Sequence, residues 1–168
     1  MAKRILRQTP PSAKGGKRVP EVAIYSRISS LEDDQSRELQ LRPLREYCSG
    51  RGWAISDVYV DVIGRGSNED SAQLDRLMSA AHSGRFETVV VRSFYRFARS
   101  LSHLVTALEA LNALEIGFIS LKEQVDTSTP VGKTLLSVLQ AAAKLECMSS
   151  AESAVKTSSG AQREKLRS

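Results

Sequence analysis

Apolar positions along the chain follow two rhythms in turn. The segment Glu21-Val22-Ala23-Ile24-Tyr25-Ser26-Arg27 is rich in strand formers, follows Pro20 and runs into a Ser/Asp/Glu stretch, which predicts a first strand and then a loop. From Gln35 to Cys48, residues Leu39, Leu41, Leu44 and Tyr47 recur near helical spacing among charged residues. Ser49-Gly50-Arg51-Gly52 supplies the stop, so this is an amphipathic helix. Trp53 to Val60 alternates apolar and polar residues and predicts a second strand, followed by a flexible loop at Gly64-Arg65-Gly66-Ser67-Asn68. Leu74, Leu77, Met78 and Ala81 define a short helix that stops at Ser83-Gly84. Thr88-Val89-Val90-Val91, apolar on consecutive positions, fits a strand covered on both faces. Leu101 to Leu114 predicts a further helix and Gly117 to Leu121 a further strand.

A long last helix is predicted from Val131 to roughly Val155. Its stripe of Val131, Leu135, Val138, Ala142 and Leu145, at spacings of three and four, marks one face as buried. Past Glu146 the stripe thins into Ser149, Ser150, Ser153, Thr157, Ser158 and Ser159, which compete with helical hydrogen bonds, so the helix is expected to fray there. Strands alternating with helices imply an α/β fold: a mostly parallel sheet of four to five strands with helices on both faces, ending in the long C-terminal helix. No internal repeat is visible.

With 168 residues the chain has room for one ordinary domain. No apolar run approaches the ~20 residues needed to cross a bilayer, so no membrane association is expected. Residues 1–20 carry six basic side chains and no acidic one, without the apolar centre of a secretory signal. They read as a disordered basic arm before a core domain at 21–148, with 149–168 as frayed helix end and polar tail. Cys48 and Cys147 lie far apart in no metal-binding spacing, which predicts reduced thiols and a cytoplasmic location. The net charge of +5 is all terminal: Glu21 to Gly160 sums to −3, against +6 for the arm and +2 for the last eight residues. Tails can therefore hold a polyanion without sequence preference, whereas phosphate chemistry in the core must rest on a few placed arginines.

Two clusters offer that chemistry. Alternation along the first strand puts Arg27 and Ser29 on one side, at the carboxyl edge where open α/β sheets place ligands. Beyond the third strand stands Arg92-Ser93-Phe94-Tyr95-Arg96-Phe97-Ala98-Arg99, in which Arg96 and Arg99, three apart, are expected to share a helical face. The only histidines, His82 and His103, fall in helical segments away from any serine and read as surface or capping residues, which argues against a Ser-His-Asp hydrolase. A serine on which arginines converge suits phosphoryl transfer, because guanidinium groups hold non-bridging oxygens and offset the charge of a pentacovalent phosphorus. Neither metal nor cofactor is then required. Serines after strands and paired arginines are also common in proteins without such chemistry. Tyr25, Trp53 and Phe118 read as core or core-edge aromatics, and Gly64-Arg65-Gly66 lacks the Lys-Ser/Thr ending of a phosphate loop.

The ordered motifs resemble a known family. Tyr25-Ser26-Arg27-Ile28-Ser29 resembles the Tyr-x-Arg-x-Ser signature of serine site-specific recombinases of the resolvase and invertase type. Gln35 to Gln40, Gly66 to Leu74, Gly84 to Val91, Arg96 to Ser100 and Val125 to Lys133 continue in the family's order, so the resemblance spans about Glu21 to Glu152. It implies that 21–148 is a catalytic domain acting on double-stranded DNA, as a homodimer or as a tetramer on DNA. Ser29 would attack a phosphodiester to form a 5′-phosphoseryl link and free a 3′ hydroxyl. Arg27, Arg96 and Arg99 would be phosphate clamps or proton-handling groups, with Gln40 the helical amide beside them. The last helix would pair subunits and cross DNA.

The chain departs from the pattern in four places. Asp70-Ser71-Ala72 stands where the family has Asp-Arg-Pro, and Phe94-Tyr95-Arg96 where it has Leu-Asp-Arg. Cys147 and Ser153 occupy positions where arginines are common. One lost transition-state charge contact costs roughly a hundredfold to a thousandfold in rate, so impaired activity is expected unless Arg65 or Arg76 compensates. The second reading is a degenerate relative that dimerises and binds DNA or a partner without cutting; a third is an α/β small-molecule enzyme. No helix-turn-helix follows the last helix, which implies an isolated domain or fragment, or targeting supplied by a partner.

Overall fold

A computed structural model describes residues 18–29, 31, 33–64 and 71–165, with side chains to residue 148. Most of the expected basic arm, and Arg65 to Asp70 of the glycine loop, lie outside the described residues. Five strands form one sheet in the order β2-β1-β3-β4-β5: β1 (Glu21–Ser29), β2 (Ala54–Ile63), β3 (Thr88–Val91), β4 (Gly117–Ser120) and β5 (Val125–Asp126). The first four are parallel and β5 is antiparallel to β4. The helices are α1 (Asp34–Gly50), α2 (Ala72–His82), α3 (Phe94–Phe97), α4 (Leu101–Ala113) and α5 (Pro130–Lys165). Two of these elements, four-residue α3 and two-residue β5, are too short to show a periodicity. Among the described residues no helix is long and apolar enough to cross a membrane.

The pleat sorts consecutive residues of β1 to opposite faces. Val22 and Ile24 join Leu41, Leu44 and Cys48 of α1 on one face, with Val90 and Ile119. Ala23 and Tyr25 face the other way, into a core built from α2, α4, Phe97, Phe118 and Leu136 of α5. Helices thus cover both faces, as the alternation of elements requires. Phe97 bridges the aromatic centre, with its ring centroid 5.5 Å from Tyr25 and 4.9 Å from Phe118.

Strand β3 pairs with β1 only from Val22 to Tyr25, whereas β2 follows β1 through Ser29. Past Tyr25 the chain of β3 turns away at Ser93, whose hydroxyl accepts from Arg96 N and starts α3. The last four residues of β1 therefore run on beside β2 alone, and α3 fills the space that β3 vacates. Strand order reverses here, with β2 on one side of β1 and β3 on the other; that is where open α/β sheets bind ligands.

Helix α5 departs from expectation twice. It continues to Lys165, past the end expected near Val155, because Ala151, Glu152, Ala154 and Lys156 are adequate helix formers and no proline intervenes. Its buried face is also not the stripe marked by the sequence: Leu136 and Leu139 pack into the core, Gly132 lies against Asp126 of β5 and Ala143 is buried, while Val131, Val138 and Leu145 are exposed and Leu135 and Ala142 half-exposed. The helix carries two apolar faces, and the small residues at 132 and 143 let the second approach the core. A Cβ on Gly132 would lie 1.9 Å from the Asp126 carbonyl oxygen. Gly132→Ala is expected to push the first turn of α5 off β5 and to cost about 1–3 kcal/mol, read as a lower urea midpoint.

Candidate active site

Ser29 closes β1 at its carboxyl end, half-buried, and its Oγ accepts from Leu31 N at 3.3 Å. It lines a cavity of about 260 Å³ with Arg27, Tyr95, Arg96, Ile63 and Gly64. Arg27 is 7% exposed and lies two residues back on the same strand face as Ser29. Its Nη2 donates to the Tyr95 carbonyl at 2.8 Å, and its Cζ lies 5.9 Å from the Tyr95 ring centroid. Arg96 closes the loop by donating from Nη1 to the backbone carbonyl of Arg27 at 3.0 Å. These two long-range bonds bind α3 to the overhanging end of β1.

Burial holds the Arg27 guanidinium below its ordinary value; the phenols of Tyr25 and Tyr95 oppose this, and the positive charges of Arg99 and Arg96 add to it. An anion seated between these arginines relieves the mutual repulsion, so the cavity favours a phosphate-like group.

Sequence reasoning missed a buried carboxylate on the strand beside Arg27. Asp61 of β2 is the register partner of Arg27 and is 6% exposed. Its carboxylate accepts from Tyr25 Oη at 2.9 Å, Gln73 N at 2.9 Å and Leu74 N at 3.1 Å. Asp61 thereby caps α2, whose first flanking residue Ser71 makes no side-chain cap bond. The signal was an acid inside the run Val60-Asp61-Val62-Ile63, hidden because the second strand was expected to end at Val60. Tyr25 is the core aromatic anticipated, but its hydroxyl belongs to this network.

The remaining expected residues divide. Arg96 and Arg99 do not share a helical face: α3 ends at Phe97, and Ala98 is extended with φ −129° and ψ 157°. Arg99 instead lines an adjoining cavity, close enough for its charge to act on Arg27 and Tyr25. Gln40 is half-buried on α1, the helix packed against the opposite sheet face, and does not line the Ser29 cavity. Arg76 donates to Gln73 Oε1 and lines a pocket with Asp57, near the start of β2 and away from Ser29. Arg65 lies outside the described residues. His82 and His103 are exposed, and neither lines the cavity.

Residues 22–167 match the family described as Resolvase, N terminal domain. The transposon Tn917 resolvase of Enterococcus faecalis is 31% identical over 122 residues, 73% of this chain and 60% of that protein; the chain thus spans about three fifths of that relative. The N-terminal catalytic domain of TP901-1 integrase superposes with a TM-score of 0.67 at 30% identity, covering 76% of this chain and 97% of that domain. A resolvase family site-specific recombinase from Streptococcus pneumoniae gives 0.73 at 23% identity over 90% of this chain and all of that one, a likeness of fold. With the family matched across nearly all of the folded residues, the chain belongs to the serine recombinases of the resolvase and invertase type, in the part that corresponds to their N-terminal domain.

Proposed function

We propose that this domain cleaves and rejoins DNA in site-specific recombination, with Ser29 as nucleophile. The observation that carries the reading is the convergence of Ser29, Arg27 and Arg96 in one cavity at the carboxyl edge of β1. Ser29 Oγ bonds to phosphorus as the P–O3′ bond breaks; the serine gives up its proton and the departing 3′ oxygen gains one. The guanidinium groups hold the non-bridging oxygens throughout. Arg27, whose burial weakens its hold on a proton, would stand beside both exchanging oxygens of a phosphodiester seated in the cavity. The product is a 5′-phosphoseryl ester; attack by a 3′ hydroxyl reforms a P–O3′ bond as the P–Oγ bond breaks, the 3′ hydroxyl gives up its proton and Ser29 regains one, so the number of phosphoester bonds is conserved.

The lost carboxylate at position 95 does not leave Arg27 without a guide, since the Tyr95 carbonyl and ring hold it. That favours catalysis over the reading as a non-cutting relative. To test it, DNA recovered by repeated selection on the protein is incubated with it and quenched in detergent. A covalent complex whose DNA-bearing peptide contains Ser29 is expected; absence of any adduct on DNA that the protein demonstrably binds ends the proposal.

Rejoining to a new partner needs a second subunit, and α5 supplies the surface. Val131, Leu135, Val138, Ala142 and Leu145 follow the alternating spacing of a two-helix seam on a helix about 54 Å long. Val138→Glu combined with Leu145→Lys is expected to shift the sedimenting species from dimer to monomer while leaving the circular dichroism of the core intact. A wild-type chain that sediments as a monomer at high micromolar concentration would contradict this.

A further inference from the structure

Of the nine aromatic residues in the chain, Tyr95 alone is exposed, at 76%. The reason is local. Phe97 is buried against Tyr25 and Phe118, and Phe94 stacks on Phe118 at 6.1 Å, so the short α3 turns the residue between them outward. Tyr95 lines two cavities at once: that of Ser29, and a second of about 200 Å³ walled by Phe94, Ala98, Leu101 and Leu104, with Arg99 among its lining. Phosphoryl transfer at Ser29 makes no use of the second cavity.

We propose that this second cavity is a subsite for the nucleobase next to the attacked phosphodiester, with the Tyr95 ring as its stacking platform. The inference rests on the reading of the Ser29 cavity as a phosphodiester site. A strand whose phosphate lies between Arg27 and Arg96 has a path past Tyr95, the residue that lines both cavities. Along such a strand each phosphate is succeeded by a flat, largely apolar ring system and then by another negative charge. The second cavity offers a matching sequence of surfaces: an exposed aromatic face, apolar walls and the Arg99 guanidinium. At about 200 Å³ it is below the ~300–1,000 Å³ of clefts that enclose drug-sized ligands, and so suits a single planar group. Arg27, at cation–π distance from the ring, restrains the platform in place. Bases in an intact duplex already stack on their neighbours, so the occupant is an unstacked nucleotide, at a strand end or in a single strand.

Removing one stacking aromatic weakens single-strand binding roughly five- to 150-fold per base. The test compares tetrathymidylate with an abasic tetranucleotide of the same charge, titrated against the whole chain at one low salt concentration. Wild type is expected to prefer tetrathymidylate at least fivefold. Tyr95→Phe should keep that preference; Tyr95→Ala should bring the ratio of the two affinities to about one, a change that a general loss of binding or of folding, which weakens both probes alike, would not give. Equal affinity of wild type for both probes, or a preference that survives in Tyr95→Ala, overturns the base subsite and leaves the phosphodiester reading standing. Failure of wild type to bind either probe overturns both.

Discussion

Ser71→Arg is expected to raise the rate of covalent-complex formation by about a hundredfold, and Ser29→Ala to abolish the complex in either background. The resemblance places Ser71 where the family usually has an arginine, and the residue immediately precedes α2. Two residues on, the Gln73 amide is bonded to Asp61, the strand neighbour of Arg27, so position 71 lies within a long side chain's reach of the arginine cluster. The substitution should cost little stability, because the Ser71 side chain makes no cap bond and Asp61 already serves the helix. A further guanidinium adds positive charge where the transition state gains negative charge. Single-turnover measurement on one DNA substrate checks the prediction: a gain below about threefold would show that position 71 does not reach the phosphate.

Asp61→Ala is expected to destabilise the domain by about 3 kcal/mol, a large share of the roughly 5–15 kcal/mol that holds such a domain together. The loss leaves the Tyr25 hydroxyl, in a residue 1% exposed, without its acceptor and frees two amides of α2. Asp61→Asn, which keeps an acceptor oxygen, should recover part of it; denaturant midpoints measure both. The same network sets an alkaline limit. Burial above all, then the charge and hydrogen bond of Asp61, hold the Tyr25 phenol well above its ordinary value near 10. Above that pH the unfolded chain has released a proton that the folded one retains, so the unfolded state binds fewer protons and stability falls as pH rises. The contribution is complete below about pH 10, and its loss approaches about 1.4 kcal/mol per pH unit above it. Tyr25→Phe should reduce the measured slope, leaving the part owed to Tyr47, Cys48 and Tyr59, which burial also raises.

The parts of this architecture that could be read before any coordinates were those written in consecutive residues. Val89-Val90-Val91 announces a strand buried on both faces, and the parity of Arg27 and Ser29 within β1 puts them on one side without further information. What could not be read depends on partners distant in sequence. The stripe from Val131 to Leu145 reveals an apolar face of α5 but not what covers it, and in the single chain the core takes the neighbouring face through Gly132 and Ala143. Arg96 and Arg99 are helical neighbours only if the helix continues through Ala98, and it does not. Asp61 acquires its meaning from pairing beyond Val60, a property of the register between two strands.

The unequal lengths of β1 and β3 divide the first strand into two halves. Val22 to Tyr25 lie between two strands, whereas Ser26 to Ser29 have β2 on one flank and a short helical turn on the other. Amide hydrogens of the second group should therefore exchange with solvent at a lower opening energy than those of the first, as expected of backbone with fewer ladder bonds around it. The hydroxyl proposed as nucleophile is thus mounted on the end of the strand that has the fewer ladder partners. That gives it freedom to follow a phosphorus atom through attack and return while the body of the sheet stays still.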